Sequence, residues 1–206
     1  MTMTTQTLEQ IETRVSANLF DPAHHLTEAQ IGRLIDLATR APTAYNLQNW
    51  RFVAVRSDAE KARLKDLANG QQKVADAAVT FVVFGVLPDA ATLGPRLRPS
   101  VDAEIMPGGM ATTWVTAAGA QYADPRASRD EAVRSASFGA AMLMQAARAM
   151  GLASGPIGGF DAAGVAAAYA ASGDEVPVVL VSVGRAAPGN WPQKPRRALG
   201  EVLEIA

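Results

Sequence analysis

The sequence predicts an α+β protein, an α/β layered arrangement of helices on a sheet, and three observations predict it. Val79–Val86 is a continuous β-branched and aromatic run, which fits a strand covered on both faces, and residues 176–183 form a second strongly β-branched run. Capped amphipathic helices precede and separate these runs. A long helix ending near Met150 is apolar nearly all round from Ala136 onward, so it must be enclosed in the centre of the domain or between two subunits. The 206 residues read as one domain, with no internal repeat and no linker.

In chain order, Leu8 and Ile11 mark a first short helix that runs out near Asp21-Pro22, a turn-favouring pair. Thr27 and Gln30 form a capping-box pair with Leu26 and Ile31 as hydrophobic staple, so a helix starts at Glu28 and buries Ile31, Leu34, Ile35 and Ala38. Pro42 closes it, because the residue before a proline is pushed out of the α region. Residues 51–55 read as a strand, and Ser57 and Glu60 cap a helix to about Leu67. Residues 88–126 hold five prolines and lose the pattern; they are expected to form a variable cover, with residues 110–120 helical. Ser128 and Glu131 are expected to cap the long helix, and Gly151 sits where a left-handed C-cap residue belongs. Asp161 can cap a short alanine-rich helix to about Ala171. In the second β-branched run Pro177 interrupts early. Residues 202–205 look like a strand without a local partner.

Composition narrows the function. With 49% hydrophobic and 19% charged residues the chain can bury a sizeable core. A net charge of −1 gives no reason to expect nucleic acid or an anionic membrane as partner. The absence of cysteine excludes disulfides, thiolate catalysis and thiolate metal sites. The polar start lacks the basic and apolar regions of a signal peptide, and the longest apolar stretch, residues 136–144, falls short of the roughly 20 residues of a membrane span. The cytoplasm is the expected location. No Walker loop, G-x-G-x-x-G after a strand, G-x-S-x-G or H-E-x-x-H is present, and His24 and His25 are adjacent, so neither a metal site nor a catalytic triad is expected.

Three polar clusters remain at the ends of elements: Arg14, Ser16 and Asn18; residues 42–48; and Lys194, Arg196 and Arg197. Each alone reads as a solvated surface or a turn. Together they matter, because a phosphate dianion needs forked guanidinium donors plus hydroxyl and amide donors, and Arg14, Ser16 and Arg196 could supply them from opposite ends of the chain.

The order of these motifs resembles that of the FMN-dependent nitroreductase family. Arg14-Val15-Ser16-Ala17-Asn18 comes first, then Ala41-Pro42-Thr43-Ala44-Tyr45-Asn46-Leu47-Gln48, then Gly151-Leu152 and Pro156-Ile157-Gly158-Gly159-Phe160-Asp161, then Lys194-Pro195-Arg196-Arg197. Asn69-Gly70-Gln71 and Asp130-Glu131-Ala132-Val133-Arg134 look most like a short branch associated with quinone and hydroquinone stress. The resemblance spans nearly the whole chain except residues 88–126.

That resemblance implies a central, mainly antiparallel sheet flanked by helices, in a homodimer whose subunits exchange a C-terminal strand and hold two flavins in their interface. It implies that Arg14, Val15, Ser16 and Asn18 meet the FMN phosphate and ribityl chain, joined by Lys194, Arg196 and Arg197. Pro42, Thr43, Ala44 and Asn46 would come from the partner subunit along the flavin edge. Gln71 would contact the ribityl or pyrimidine side, and the turn of Pro156, Ile157, Gly158 and Gly159 would bring backbone N–H groups near flavin N5 and O4. The implied activity is reduction of small oxidised compounds, quinones or nitroaromatics, in a ping-pong scheme. Hydride passes from NADH or NADPH to flavin N5 and on to the oxidant, so no catalytic side chain and no metal are required. Lys194, Arg14 and Gln71 are candidates for stabilising charge at N1 and O2.

Three positions depart from the family pattern. Asn18 stands where many members carry Arg or Lys, at an expected cost of about 1 to 2 kcal/mol in phosphate binding. Gly158 replaces a glutamate of one branch, and Asn49 replaces a proline before Trp50. Met106, Met110, Trp114 and Tyr122 are suited either to stacking on flat substrates or to ordinary packing. Competing readings are reduction of a small aldehyde such as malonic semialdehyde, a flavin-binding module without turnover, and a structural dimer with a decayed site.

Overall fold

The computed structural model describes residues 3–169 and 171–206. Met1, Thr2 and Ala170, which belong to the polar start and to the predicted end of the alanine-rich helix, lie outside the described residues. The helices are α1 (Met3–Glu12), α2 (Glu28–Ala38), α3 (Asp58–Leu67), α4 (Lys73–Asp76), α5 (Ala90–Asp102), α6 (Gly108–Gln121), α7 (Pro125–Ala149) and α8 (Ala162–Ala168). The strands β1 (Trp50–Val55), β2 (Val79–Val86), β3 (Ala153–Ile157) and β4 (Glu175–Gly184) form one antiparallel sheet in the order β1-β2-β4-β3. Among the described residues no helix is long and apolar enough to cross a membrane.

The two central strands build two cores by alternation. Val79, Phe81 and Val83 of β2 with Val181 and Val183 of β4 meet Leu34 and Ala38 of α2 and Ala136, Ala140 and Leu143 of α7 on one face. Val82 and Phe84 with Leu180 face Leu64 of α3, Val74 of α4 and Val165 of α8 on the other. This is why Val79–Val86 shows no polar alternation. Pro177 is accommodated by a bulge: Val83 pairs with Val179 and Phe84 with Pro177, leaving Val178 as the extra residue.

Local signals place several boundaries. At the start of α2 the Gln30 N–H donates to Thr27 Oγ1 (3.2 Å) and the Thr27 N–H to Gln30 Oε1 (2.9 Å), the reciprocal capping box the sequence predicts. Asp161 caps α8 by accepting from the Gly164 N–H at 3.0 Å. Gly151, at φ 74°, takes the left-handed position after α7.

Other expectations are corrected. The long helix starts three residues earlier than Ser128: Asp124 is its cap, accepting from the Arg126 N–H at 3.1 Å, and Pro125 takes the first helical position, where no N–H is needed. Residues 88–126 are an ordered hairpin of α5 and α6 with its own core of Leu93, Leu97, Ala118 and Tyr122. Pro95 and Pro99 lie inside α5 and hid it, although Leu93 and Leu97, four residues apart, are fully buried. Met106, Trp114 and Tyr122 pack in this core, whereas Met110 is exposed. β3 and α4 were not foreseen; Pro156 and Ile157, expected in a turn with Gly158 and Gly159, instead end β3, which pairing with β4 makes an edge strand. Residues 202–205 form no strand within the chain: Leu199–Glu201 is a 3-10 turn, and Val202, Leu203 and Ile205 are exposed. The long helix is not enclosed by its own chain, since Ser137, Phe138, Ala141 and Ala149 face outward, which leaves the second of the two expected enclosures, between subunits.

α7 approaches the sheet over glycine. A Cβ on Gly85 would lie 2.2 Å from the Ala132 carbonyl oxygen, so a side chain there must push helix and strand apart. Gly85→Ala is expected to lower unfolding stability by about 3 kcal/mol in chemical denaturation, with the slope unchanged.

Candidate functional site

The segment after α1 runs along the free edge of β3. Ser16 bridges Ser154, the Ala17 N–H donates to the Ser154 carbonyl at 2.9 Å, and Gly155 is the only residue type that fits beneath Ala17, whose carbonyl oxygen would be 2.2 Å from any Cβ. A strap from the C-terminal tail crosses the same segment. The Asn190 side-chain carbonyl accepts from the N–H groups of Asn18 (2.7 Å) and Leu19 (3.0 Å), while its amide donates to the carbonyls of Leu19 (2.8 Å) and Ala187 (2.9 Å). Gln193 adds a donor bond to the Arg14 carbonyl (3.1 Å) and accepts from the Arg196 guanidinium (3.0 Å).

Between segment, strap and β3 lies a cavity of about 260 Å³. The structure brings Arg14, Val15, Ser16, Asn18, Pro156, Lys194 and Arg196 together around it, and adds Lys73, Trp191, Pro192 and Gln193. Four lining side chains are cationic and none is a carboxylate. Among the described residues none of the four forms an ion pair. Among the described residues the buried Arg14 Nη1 has no hydrogen-bond partner, a costly state unless an acceptor comes from outside. Burial lowers the Lys73 pKa from its ordinary value, an effect that a nearby anion opposes. The Lys73 ammonium donates to Asn18 Oδ1 at 3.3 Å. Lys73 thus places a cation beside Asn18. Lys194 lies over the Trp191 ring, 5.0 Å from its centre. The cavity is built for an anion with several acceptor oxygens.

The remaining predicted residues lie around rather than in this cavity. Gln71 donates to the Gly159 carbonyl at 3.0 Å and to that of Ala68 at 3.0 Å, and Asn69 joins it on Gly159 at 3.1 Å. Its amide thus holds the turn after β3 and does not line the cavity. Gly158 and Gly159 are exposed there, while the Ile157 side chain is buried in the core, so only its backbone is available. Arg197 is turned onto Glu201, through its Nε at 3.0 Å and its Nη2 to the carbonyl at 2.9 Å. Pro42, Thr43 and Ala44 line a different cavity, and Asn46 lines neither. Tyr45, Asn46 and Gln48 all have positive φ, 51°, 56° and 47°, which makes this loop a concentration of backbone strain. Asn49 is 1% exposed and donates to the Val86 carbonyl at 2.8 Å, so it ties the loop to the end of β2. His24 accepts from the Arg185 N–H at 3.2 Å and is lowered in pKa by burial and then by the Arg185 charge, a structural position.

Sequence reasoning missed Lys73, Asn190 and Gln193. Lys73 belongs to the single-turn helix α4, too short to show a periodic pattern, and Asn190 and Gln193 sit in a proline-rich segment without pattern.

The profile of the Nitroreductase family matches residues 11–185. YodC of Bacillus subtilis, an NAD(P)H nitroreductase by name, is 33% identical over 187 residues, which are 88% of this chain and 90% of that one. Among solved structures, ydfN of Bacillus subtilis, named as a nitroreductase, is similar with a TM-score of 0.91 at 26% identity, covering 98% of this chain and 100% of that one. A protein of Exiguobacterium sibiricum, also named as a nitroreductase and solved in complex with FMN, has a TM-score of 0.89 at 27% identity over 97% of each chain. The fold, the motif order and these similarities agree: the chain belongs to the nitroreductase family.

Proposed function

We propose that this protein binds FMN with its phosphate in the cationic cavity and uses NADH or NADPH to reduce small oxidised compounds, quinones and nitroaromatics. The observation that carries this reading is the buried, unpartnered Arg14 Nη1 within a ring of four unpaired cations. The donor set fits a phosphate monoester dianion. Arg14 and Arg196 offer forked donors, Lys73 and Lys194 offer point charges, and Ser16 offers a hydroxyl.

When bound, FMN supplies the two-electron redox chemistry. The chain's own residues position and shield it. Asn69 and Gln71 fix the Gly159 carbonyl, which leaves the N–H groups of Gly158 and Gly159 for the cofactor. Glycine at 158 adds no side chain to that turn, so the pocket beside it stays open. Gln71 acts in this reading as a positioning residue, and Arg197 as a brace for the tail.

The site is completed by a second subunit in this reading. Within one chain Pro42, Thr43, Ala44 and Asn46 lie apart from the cationic cavity, and a partner's loop would bring the same residues along the flavin edge. The outward face of α7, with Phe138 at 47% exposure, and the exposed Val202, Leu203 and Ile205 supply the apolar surface for that contact. The tail segment would pair as a strand with the partner's sheet.

Two outcomes follow. The purified protein is expected to show flavin absorbance that bleaches anaerobically on addition of NADH or NADPH, and Arg14→Ala should weaken FMN binding by a factor of about 10 to 100. Full flavin occupancy in both Arg14→Ala and Arg196→Ala would remove the phosphate assignment. In light scattering the intact chain is expected to be a dimer. Deletion of residues 199–206 should shift it toward monomer and lower its flavin content together, and a monomeric intact chain with full flavin content would contradict the shared site.

A further inference from the structure

The second cavity, about 420 Å³, lies between the strained loop of residues 42–45, the end of α6 and the first turns of α7. That volume is in the range of small-molecule pockets. Its polar groups are a surplus of donors. Glu131, 2% exposed, is the one carboxylate, and it is already engaged by the Ser135 hydroxyl at 2.8 Å and by one nitrogen of Arg134. The Arg134 side chain is 54% exposed, so the rest of its guanidinium fork is open. The Gln121 side-chain carbonyl accepts from the Tyr45 hydroxyl at 2.8 Å, which leaves its amide hydrogens unspent. Beneath them the Tyr122 hydroxyl is buried beside Glu131. Its burial, then the charge of Glu131 and a hydrogen bond to it, push its pKa up, so it stays protonated.

The walls are flat and apolar. Tyr45 and Phe138 line the cavity, and Tyr45 is held edge-on by Trp114 (5.9 Å between ring centres) and Tyr122 (6.3 Å). The left-handed backbone at Tyr45, φ 51°, is braced by the Gln48 N–H donating to Thr43 Oγ1 at 3.0 Å. Strain retained and braced at one aromatic residue is the pattern of a ligand clamp. A pocket with aromatic walls, surplus donors and one half-open guanidinium selects a flat ligand rich in acceptor oxygens.

We propose that this cavity is the oxidant's specificity pocket, and that it takes a flat aromatic acceptor carrying a carboxylate or similar anionic group, with the ring against Tyr45 and Phe138 and the anionic group on Arg134. The proposal rests on the reading that residues 42–46 lie along the partner subunit's flavin. Glu131 is buried behind the guanidinium and Arg134 is half exposed, so the ligand meets the outer donors of the fork and not the carboxylate.

The test compares 4-nitrobenzoate with its neutral counterpart 4-nitrobenzamide on the flavin-loaded protein. Two readouts are taken: the ratio of kcat/KM for acid over amide, and binding of 4-nitrobenzoate to the oxidised protein by quenching of tryptophan fluorescence. The expected result is a preference for the acid carried in KM. In Arg134→Gln the ratio should fall about tenfold, the effect of one charge-assisted hydrogen bond, and Arg134→Lys should keep part of it. No acid preference in the wild type, or an unchanged ratio in Arg134→Gln, overturns the proposal. If Arg134→Gln does not fold, the wild-type ratio and Arg134→Lys decide. Failure of the flavin reading is separable: a chain that carries no flavin gives no turnover, yet loss of 4-nitrobenzoate quenching in Arg134→Gln still supports the pocket. A flavin that bleaches with NADH beside an unchanged ratio removes the pocket alone.

Discussion

Arg14, Lys73, Lys194 and Arg196 repel one another, and the chain gathers them around one cavity without a carboxylate of its own. Everything on that side of the molecule serves this arrangement. The Ala17 to Ser154 bond and the close approach over Gly155 fix the Arg14 segment to the sheet edge. Three hydrogen bonds from Asn190 hold the tail across it, and a fourth, to the Ala187 carbonyl, braces the tail itself. Lys73 is placed by the single-turn helix α4, from which its ammonium reaches Asn18 Oδ1. A fold that holds like charges together, one of them with a buried unmatched nitrogen, is preorganised for an anion. Its free form should gain more from the ligand than a relaxed surface would.

The second cavity follows a different logic. There the charges are matched, Glu131 with Arg134, and the cost is carried by the backbone, with left-handed Tyr45, Asn46 and Gln48 in one short loop. The α5–α6 hairpin exists to brace that loop. Leu47 is fully buried in the hairpin core, and Arg96 donates to the Leu47 carbonyl. In the proposed dimer the two sides meet, the phosphate grip from one chain and the strained loop from the other. That places affinity for the cofactor and choice of oxidant on separate parts of the sequence.

Legibility followed the range of the interactions. Short-range signals were readable: the Thr27–Gln30 capping box, the Asp161 cap, Gly151 at positive φ, and the unbroken β-branched runs that became β2 and most of β4. Features made by distant partners were not. β3 exists because β4 lies beside it, α5 tolerates Pro95 and Pro99 because Leu93 and Leu97 are buried, and α7 starts at Pro125 with Asp124 as its cap, so that Ser128 and Glu131 lie buried within the helix. In the site, Arg14, Ser16, Asn18, Lys194 and Arg196 were found as motifs in order. Lys73 and Asn190 needed the tertiary structure, since their partners lie 55 and more than 170 residues away in the chain.

Recognition of the phosphate dianion by the cationic cavity carries the proposed function. Its most direct test is the affinity of the flavin-stripped protein for FMN against riboflavin, read by quenching of flavin fluorescence at low and high salt. The account predicts that FMN binds at least about 100-fold more tightly, with the gap narrowing as salt screens the cations. Equal affinities for the two flavins would contradict it.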